Sequence, residues 1–485
     1  MSLHPVDQDS DNESYHSLRF LYPNFEAEDP EHYHPGGFHP VHLGDTYYGG
    51  RYRIVHKLGA GGFSTVWLAR DECDRKWVAL KFVAAKHSSS ISDKSLRVLS
   101  SQVAVSNRAR GPATFMSELG RFTFEGPNGR HLCLVLPVFG PSASELSTLF
   151  SCRLKPWLAR KVGYQAAKAL ADLHAQGICH GDVTTGNILF TLQGFDHLNE
   201  AGVYRLFGPP VTQQLELESG EPTGPEAPRY LVKALDFLSL DFNFISSNTI
   251  LVDFDQSFPI SSPPKKMLGT PAEFLAPEVA VGLPPSPASD VWALGCFLFR
   301  LRGGLSPFSA FEVDCPVELV RIVEQTLGDR PAEWGDTLWD DFGYPTKNPR
   351  KGRHVAKLDE KRSLRDLVYK IWDDQPEGNV VNTGVPGCQK RLYISEDNEP
   401  FPPCFGNMIW KPTAVKVDNV YIYGFDDESD AMLDAMPKIA EHEAALLYDL
   451  LSKIFVYDAK QRPTAKEILD HSWFHSTTSP RTTPT

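Results

Sequence analysis

Leu58-Gly59-Ala60-Gly61-Gly62-Phe63-Ser64-Thr65-Val66, followed by Val78-Ala79-Leu80-Lys81, is the stretch on which the fold turns. Glycines at 59, 61 and 62 remove the Cβ atoms that would keep a backbone away from phosphate oxygens. The runs Arg51–Leu58, Thr65–Arg70 and Trp77–Val83 are β-rich and separated by turn residues, so they predict antiparallel strands with the glycines at a hairpin tip. A Gly-rich turn alone is common, and a strand lysine is ordinarily solvated. Lys81 differs because it follows an apolar triplet and stands fifteen residues beyond Val66. That spacing suits a lysine carried by the neighbouring strand toward the same phosphates.

Working outward, His131–Val138 predicts another buried strand, so the first part of the chain reads as a small antiparallel sheet. After Gly140 the period changes. Pro156–Gln176 places Leu158, Val162, Ala166, Leu170 and Leu173 at helical spacing, and Gly177 ends it. Further helices are expected at Asp290–Arg302, Val317–Leu327, His442–Phe455 and Ala465–Asp470. The fold class is therefore α+β, a small β-rich lobe followed by a larger helical one. The domain runs over 31–475, with the first lobe at about 45–139 and the second at about 140–475. Two Gly- and Pro-rich inserts, about 190–248 and 335–435, interrupt the second lobe, and a basic helical patch is expected at Lys347–Arg365. Residues 1–30 and 476–485 are polar and predict disorder.

Two loops carry carboxylates. In His180-Gly181-Asp182-Val183-Thr184-Thr185-Gly186-Asn187, an Asp is followed five residues later by an Asn. Asp182 can accept a hydroxyl proton and Asn187 can hold a metal ion, although Asp and Asn in loops are more often turn residues. In Ile250-Leu251-Val252-Asp253-Phe254-Asp255, a carboxylate ends an apolar strand, which suits a second metal contact.

Composition narrows the partners. The chain has 485 residues and a formal net charge of −13, which argues against nucleic acid and anionic membranes. Plain solubility explains the same acidity. The eight cysteines include no CxxC pair, and the N-terminus has no basic stretch leading into an apolar one. The expectations are a reducing, intracellular setting in cytoplasm or nucleus, no zinc site, no membrane span and a monomer.

Together with Ala276-Pro277-Glu278, Asp290 in Ser289–Gly295 and Arg462 in Asp458–Thr464, these motifs resemble the eukaryotic protein kinases in order and spacing. Within them the chain is similar to the SR-protein-specific kinase group, in a short, fungal-like version. Pro35–Asp45, Ser64 in place of the third glycine, and the insert before Asp253 carry that likeness. The resemblance covers about 33–475. It implies Mg2+- and ATP-dependent phosphorylation of Ser or Thr in proteins, with Arg/Ser-rich proteins the group's substrate class. It implies ATP contacts from Leu58 to Ser64, Val66, Ala79, Lys81 and Leu189, with Leu136 as gatekeeper and Pro137–Phe139 as hinge. Pro137 would serve through its carbonyl and Phe139 through its N–H. Asp182 would be the catalytic base, Asn187 and Asp253 the metal ligands, and Glu278–Arg462 and Asp290 the framework.

Four positions depart from the family. Gly181 replaces an arginine that reads phosphate on the activation segment, so that 26-residue segment, Asp253 to Glu278, is expected to order without phosphorylation. Thr184 replaces a lysine, and Asp255 a glycine. The glutamate that should pair with Lys81 is expected near Ser95, yet no glutamate occurs between Lys81 and Glu118. Asp93 is two residues away from that position, a turn of about 200° on a helix. These departures leave a pseudokinase scaffold as the alternative function, and His-Gly-Asp loops leave a small-molecule phosphotransferase as a lower one. Asp340-Asp341 and the acidic run Asp426–Asp430 are candidate docks for an arginine-rich peptide, or simply solvated loops.

Overall fold

The computed structural model describes residues 19–88, 114–146, 153–154, 156–237, 244–308, 313–355, 361–371 and 438–476, with short backbone segments within 381–422. The chain divides into two compact units, one holding residues up to Gly140 with Thr191–Ser246, the other Pro141–Phe190 with the residues from Ser247 onward.

The N-terminal unit is built on a six-stranded antiparallel sheet in the order β1-β2-β3-β4-β6-β5. Its strands are β1 (Thr46–Tyr47), β2 (Tyr52–Gly61), β3 (Ser64–Asp71), β4 (Lys76–Val83), β5 (Gly120–Gly126) and β6 (Gly129–Leu136). Alternation along the strands sends Ile54, Trp67, Leu80, Phe82, Cys133 and Val135 into one buried cluster. The sheet curls until its outermost strands meet through aromatic rings, with Tyr47 5.3 Å from Phe124 between centroids.

Two segments outside the sheet complete this unit, and both differ from the sequence expectation. The insert assigned to the second lobe packs here instead. Trp77 Nε1 donates to Leu198 O at 2.8 Å, Arg53 pairs with Glu200, and Val232 joins the sheet's core. The expected disorder of residues 1–30 fails from Arg19 onward. Phe20, Tyr33 and Phe38 are buried with Leu215, Ala227 and Leu231 of the insert, and Leu21 N donates to Glu216 O at 2.9 Å. The segment is polar on average, but three aromatic side chains suffice once a partner supplies the other wall.

The C-terminal unit is helical. Its main helices are α1 (Pro156–Ala175), α2 (Pro287–Gly303), α3 (Pro316–Leu327) and α4 (Glu441–Ile454), all close to their expected bounds. Ser286 caps α2, accepting from Ala288 N, while Ser289 Oγ returns the favour to Ser286 N and Pro287 opens the first turn. A Cβ on Gly163 would lie 2.5 Å from Leu298 Cδ2, so the close approach of α1 to α2 needs that glycine. Three helices are also joined by charge, since Glu443 meets Arg302 at 3.0 Å and Arg160 at 3.1 Å, all buried. The expected helix at Lys347–Arg365 is corrected: among the described residues of that stretch the helix is Leu364–Tyr369, and Asn348 and Thr346 side chains bond backbone amides in a turn upstream. Among the described residues no helix is long and apolar enough to cross a membrane.

Candidate active site

In the N-terminal unit, β2 and β3 meet in register with Gly59 opposite Val66, Ala60 opposite Thr65 and Gly61 opposite Ser64, leaving Gly62 and Phe63 at the tip. A Cβ added to Gly59 or Gly61 would meet no protein atom within 4 Å. The fold's own packing therefore does not demand glycine there, and the space above both positions is open. Phe63 anchors the tip, its ring meeting His87 at 4.6 Å and its carbonyl accepting from Ala84 N at 2.9 Å.

The register then selects a face. Val66 lies opposite Lys81, Lys81 opposite Leu134, and Ala79 opposite Leu136. Val66, Ala79, Lys81, Leu134 and Leu136 thus share the sheet face opposite to the one that carries Trp67, Leu80 and Phe82. Leu58 lies at a bulge in the same hairpin. Pro137, Val138 and Phe139 follow β6 as irregular, half-buried chain. The position expected for the lysine's glutamate, with Asp93 and Ser95, lies outside the described residues. Glu118 holds Arg121 at 2.9 and 2.8 Å.

In the C-terminal unit, the strand β7 (Ile178–Cys179) leads into His180–Asn187. Asp290, on the first turn of α2, takes His180 N on Oδ2 and Gly181 N on Oδ1, both at 2.8 Å. Burial alone would raise the Asp290 carboxyl, but the hydrogen bond from His174, the nearby histidines and the loop amide hold it below its ordinary range. It remains an anion that fixes the loop. Asp182 N donates to His180 Nδ1 at 3.2 Å, so His180 Nε2 carries the hydrogen and donates to Val252 O at 3.0 Å. That bond ties the loop to the residue before Asp253. The loop is tied a second time by Val252 N donating to Asn187 O at 2.9 Å.

Asp182 is the centre of this arrangement. Asn187 Nδ2 donates to its carbonyl at 2.8 Å and to its Oδ2 at 2.9 Å, while its Oδ1 is buried without a hydrogen-bond partner. Burial and the charge of Asp253 push the Asp182 carboxyl up to about 7, with Asp290 and Asp255 adding to the rise and Asn187 opposing it. An oriented carboxylate with one bare oxygen can take a proton.

The donor set also fits a hard divalent cation. With its nitrogen committed to Asp182, the Asn187 amide presents its oxygen, and Asp253 adds a carboxylate at φ 63°, a conformation costly for a non-glycine residue. Leu189 follows on the strand Ile188–Leu192, bridged to Ser142.

The activation segment is held at several points. Thr270 Oγ1 donates to Gly181 O at 2.6 Å, Gly269 N donates to Gln256 Oε1 at 3.3 Å, and Phe258 pairs with Cys179. At its end Arg462 grips Glu278 with two nitrogens, each at 2.7 Å, and stacks over Trp292 at 4.9 Å. Ser289 Oγ adds a bond to Glu278 at 2.9 Å. Thr270, Gln256, His174 and Ser289 were not anticipated from sequence. Their only signal was position: Thr270 and Gln256 lie inside the segment, His174 six residues before His180.

The acidic pair at Asp340-Asp341 is engaged within its own hairpin. Asp340 Oδ1 accepts from Phe342 N and Tyr344 N, and Asp341 meets Arg353 at 2.9 Å. Asp426–Asp430 lies outside the described residues.

A glycine hairpin followed by a buried strand lysine in one unit, and a buried carboxylate with one bare oxygen in the other, are motifs of the protein kinase class. The protein kinase domain matches residues 52–213 and 243–474, so the chain belongs to that family. Its relatives are of the SR-protein kinase type, as the motifs implied. Protein kinase dsk1 of Schizosaccharomyces pombe is 37% identical over 34% of this chain and 31% of its own length. Serine/threonine-protein kinase SKY1 of Saccharomyces cerevisiae is 32% identical over 33% of this chain and 22% of its own. SRSF protein kinase 3 of Homo sapiens is 34% identical over 34% of this chain and 29% of its own. The aligned part thus spans less than a third of each of these relatives.

Proposed function

We propose that the chain transfers the γ-phosphate of ATP to serine or threonine hydroxyls of proteins, Arg/Ser-rich ones among them. The observation that carries this is Asp182, fixed by His180, Asn187 and the Asp290-held loop, with a bare buried Oδ1. In the reaction Asp182 accepts the hydroxyl proton as the oxygen attacks phosphorus, and ADP departs with the bridging electron pair. Leu58–Ser64 and Lys81 bind the triphosphate, Val66, Ala79, Leu189, Pro137 and Phe139 the base. Magnesium, held by Asn187 and Asp253, would supply positive charge against the phosphate oxygens.

The Arg/Ser preference draws on the likeness to the human SRSF protein kinase 3 and on the net charge of −13. The Asp340-Asp341 hairpin adds little, since both carboxylates already have internal partners. We further propose that the activation segment needs no phosphate, because Gln256, Phe258 and Thr270 already fasten it, and that the kinase works as a monomer inside the cell.

The test is Mg-ATP turnover on an Arg/Ser-repeat peptide by the parent and by Asp182→Asn. The expected loss is at least about a thousandfold, given what a positioned base and its electrostatics contribute. Equal background rates in both would overturn the assignment, and ATP-dependent thermal stabilisation without turnover would point to a nucleotide-binding scaffold.

A further inference from the structure

The β2–β3 ladder is irregular just before the glycine hairpin. Its register shifts between Ile54 and His56 and again between Lys57 and Gly59. Lys57 turns its backbone away from β3: its N–H goes to His56 Nδ1 at 2.9 Å, and its carbonyl accepts from Leu235 N of the insert at 3.0 Å. The root of the hairpin is therefore bulged, and Lys57, while facing Trp67 on β3, directs its carbonyl to the insert.

At this same residue the hairpin root is held by a buried ion pair. Lys57 Nζ is bonded to the Glu28 carboxylate, and both side chains are 2% exposed. Glu28 Oε1 also accepts from Tyr33 OH at 2.7 Å. The ammonium sits 5.4 Å from the Trp67 ring, the residue facing Lys57 on β3. Burial draws the lysine toward deprotonation; the carboxylate and ring lie close enough to favour the ammonium. Packing alone would be served equally well by an apolar pair. An ion pair at this depth requires its partner in one place, and that place is on the N-terminal segment.

We infer that Lys57 and Glu28 are positioning residues for ATP: through this pair the N-terminal segment holds the root of the glycine hairpin, and Leu235 holds the same residue from the insert. The inference rests on the glycine hairpin binding the triphosphate.

The full chain carrying Glu28→Gln tests it in two arms. In the first, KM for ATP should rise about fivefold or more, while kcat and the peptide KM stay within about twofold, because ATP binding and not the Asp182 loop has lost its support. In the second, hydrogen exchange without ATP should be about tenfold faster at Leu58–Ser64, with β4 and β6 amides unchanged. This arm decides even if the parent shows no saturable ATP turnover, which would instead fail the nucleotide reading. Unchanged exchange at Leu58–Ser64, or equal acceleration throughout the sheet, would overturn the inference. Should Glu28→Gln fail to fold, Tyr33→Phe removes only the hydroxyl contact and should shift both readouts in the same direction by less. No shift there would overturn the inference as well.

Discussion

In the proposed reaction Asp182 is the base, and its environment sets the expected pH dependence. Its carboxyl sits at about 7 for two physical reasons, burial first and the neighbouring Asp253 charge second. As a base it must be ionised, so kcat/KM should climb through pH 7 and level off above it. A cation bound at Asp253 cancels part of that repulsion, so the kcat profile should turn at lower pH than kcat/KM. Measuring both profiles checks this; a flat kcat/KM from pH 6 to 8 contradicts it. Stability moves the other way. A carboxyl raised in the folded state stabilises fully only below its unfolded pKa near 4, and that contribution is lost as pH rises to about 7. Asp182→Asn should therefore be more stable than the parent, by at least about 1 kcal/mol at pH 7.5 and by little at pH 3.5.

At the scale of elements, the catalytic loop and the activation segment are fastened through Gly181. It stands at φ 78°, and a Cβ there would lie 2.6 Å from the Gln256 carbonyl oxygen. The substitution of glycine for the arginine common in kinases is thus more than the loss of a phosphate reader. The space that a side chain would need is filled by the backbone of the segment itself. Gly181→Ala should cost about 1–3 kcal/mol and lower kcat more than KM for ATP, because Asp182 is the next residue. Urea midpoints and steady-state kinetics report the two effects. The bidentate Glu278–Arg462 pair secures the other end, buried and therefore strongly destabilising to break from one side only.

At the scale of the molecule, residues 19–44 and 191–246 belong to the sheet-bearing unit. Phe20 is 1% exposed and lies far from the sheet in sequence, but it closes the cluster formed with Leu215 and Leu231. Phe20→Ala should destabilise the chain by about 3–5 kcal/mol, as for other buried aromatics, measured by denaturant midpoint. A near-zero change would mean that the segment does not carry that core. Removing the insert should act in the same sense, since Val232 and Leu235 would leave unsatisfied apolar surface and an unpaired Lys57 carbonyl.

The sequence alone determined the class of fold and the order of its motifs, and it singled out Lys81, Asp182, Asn187 and Asp253 as candidates. These were legible because each depends on local chemistry: a glycine turn between strands, a carboxylate in a loop, an amide five residues on. Helix bounds were legible for the same reason, through capping residues and period. What only the tertiary structure decided were pairings over long separations. Nothing near Glu28 announces Lys57, nothing near Gly181 announces Gln256, and the polar average of residues 19–44 conceals Phe20 and Tyr33. Burial and contact across distant segments create those interactions, and neither is encoded in any local pattern of residue types.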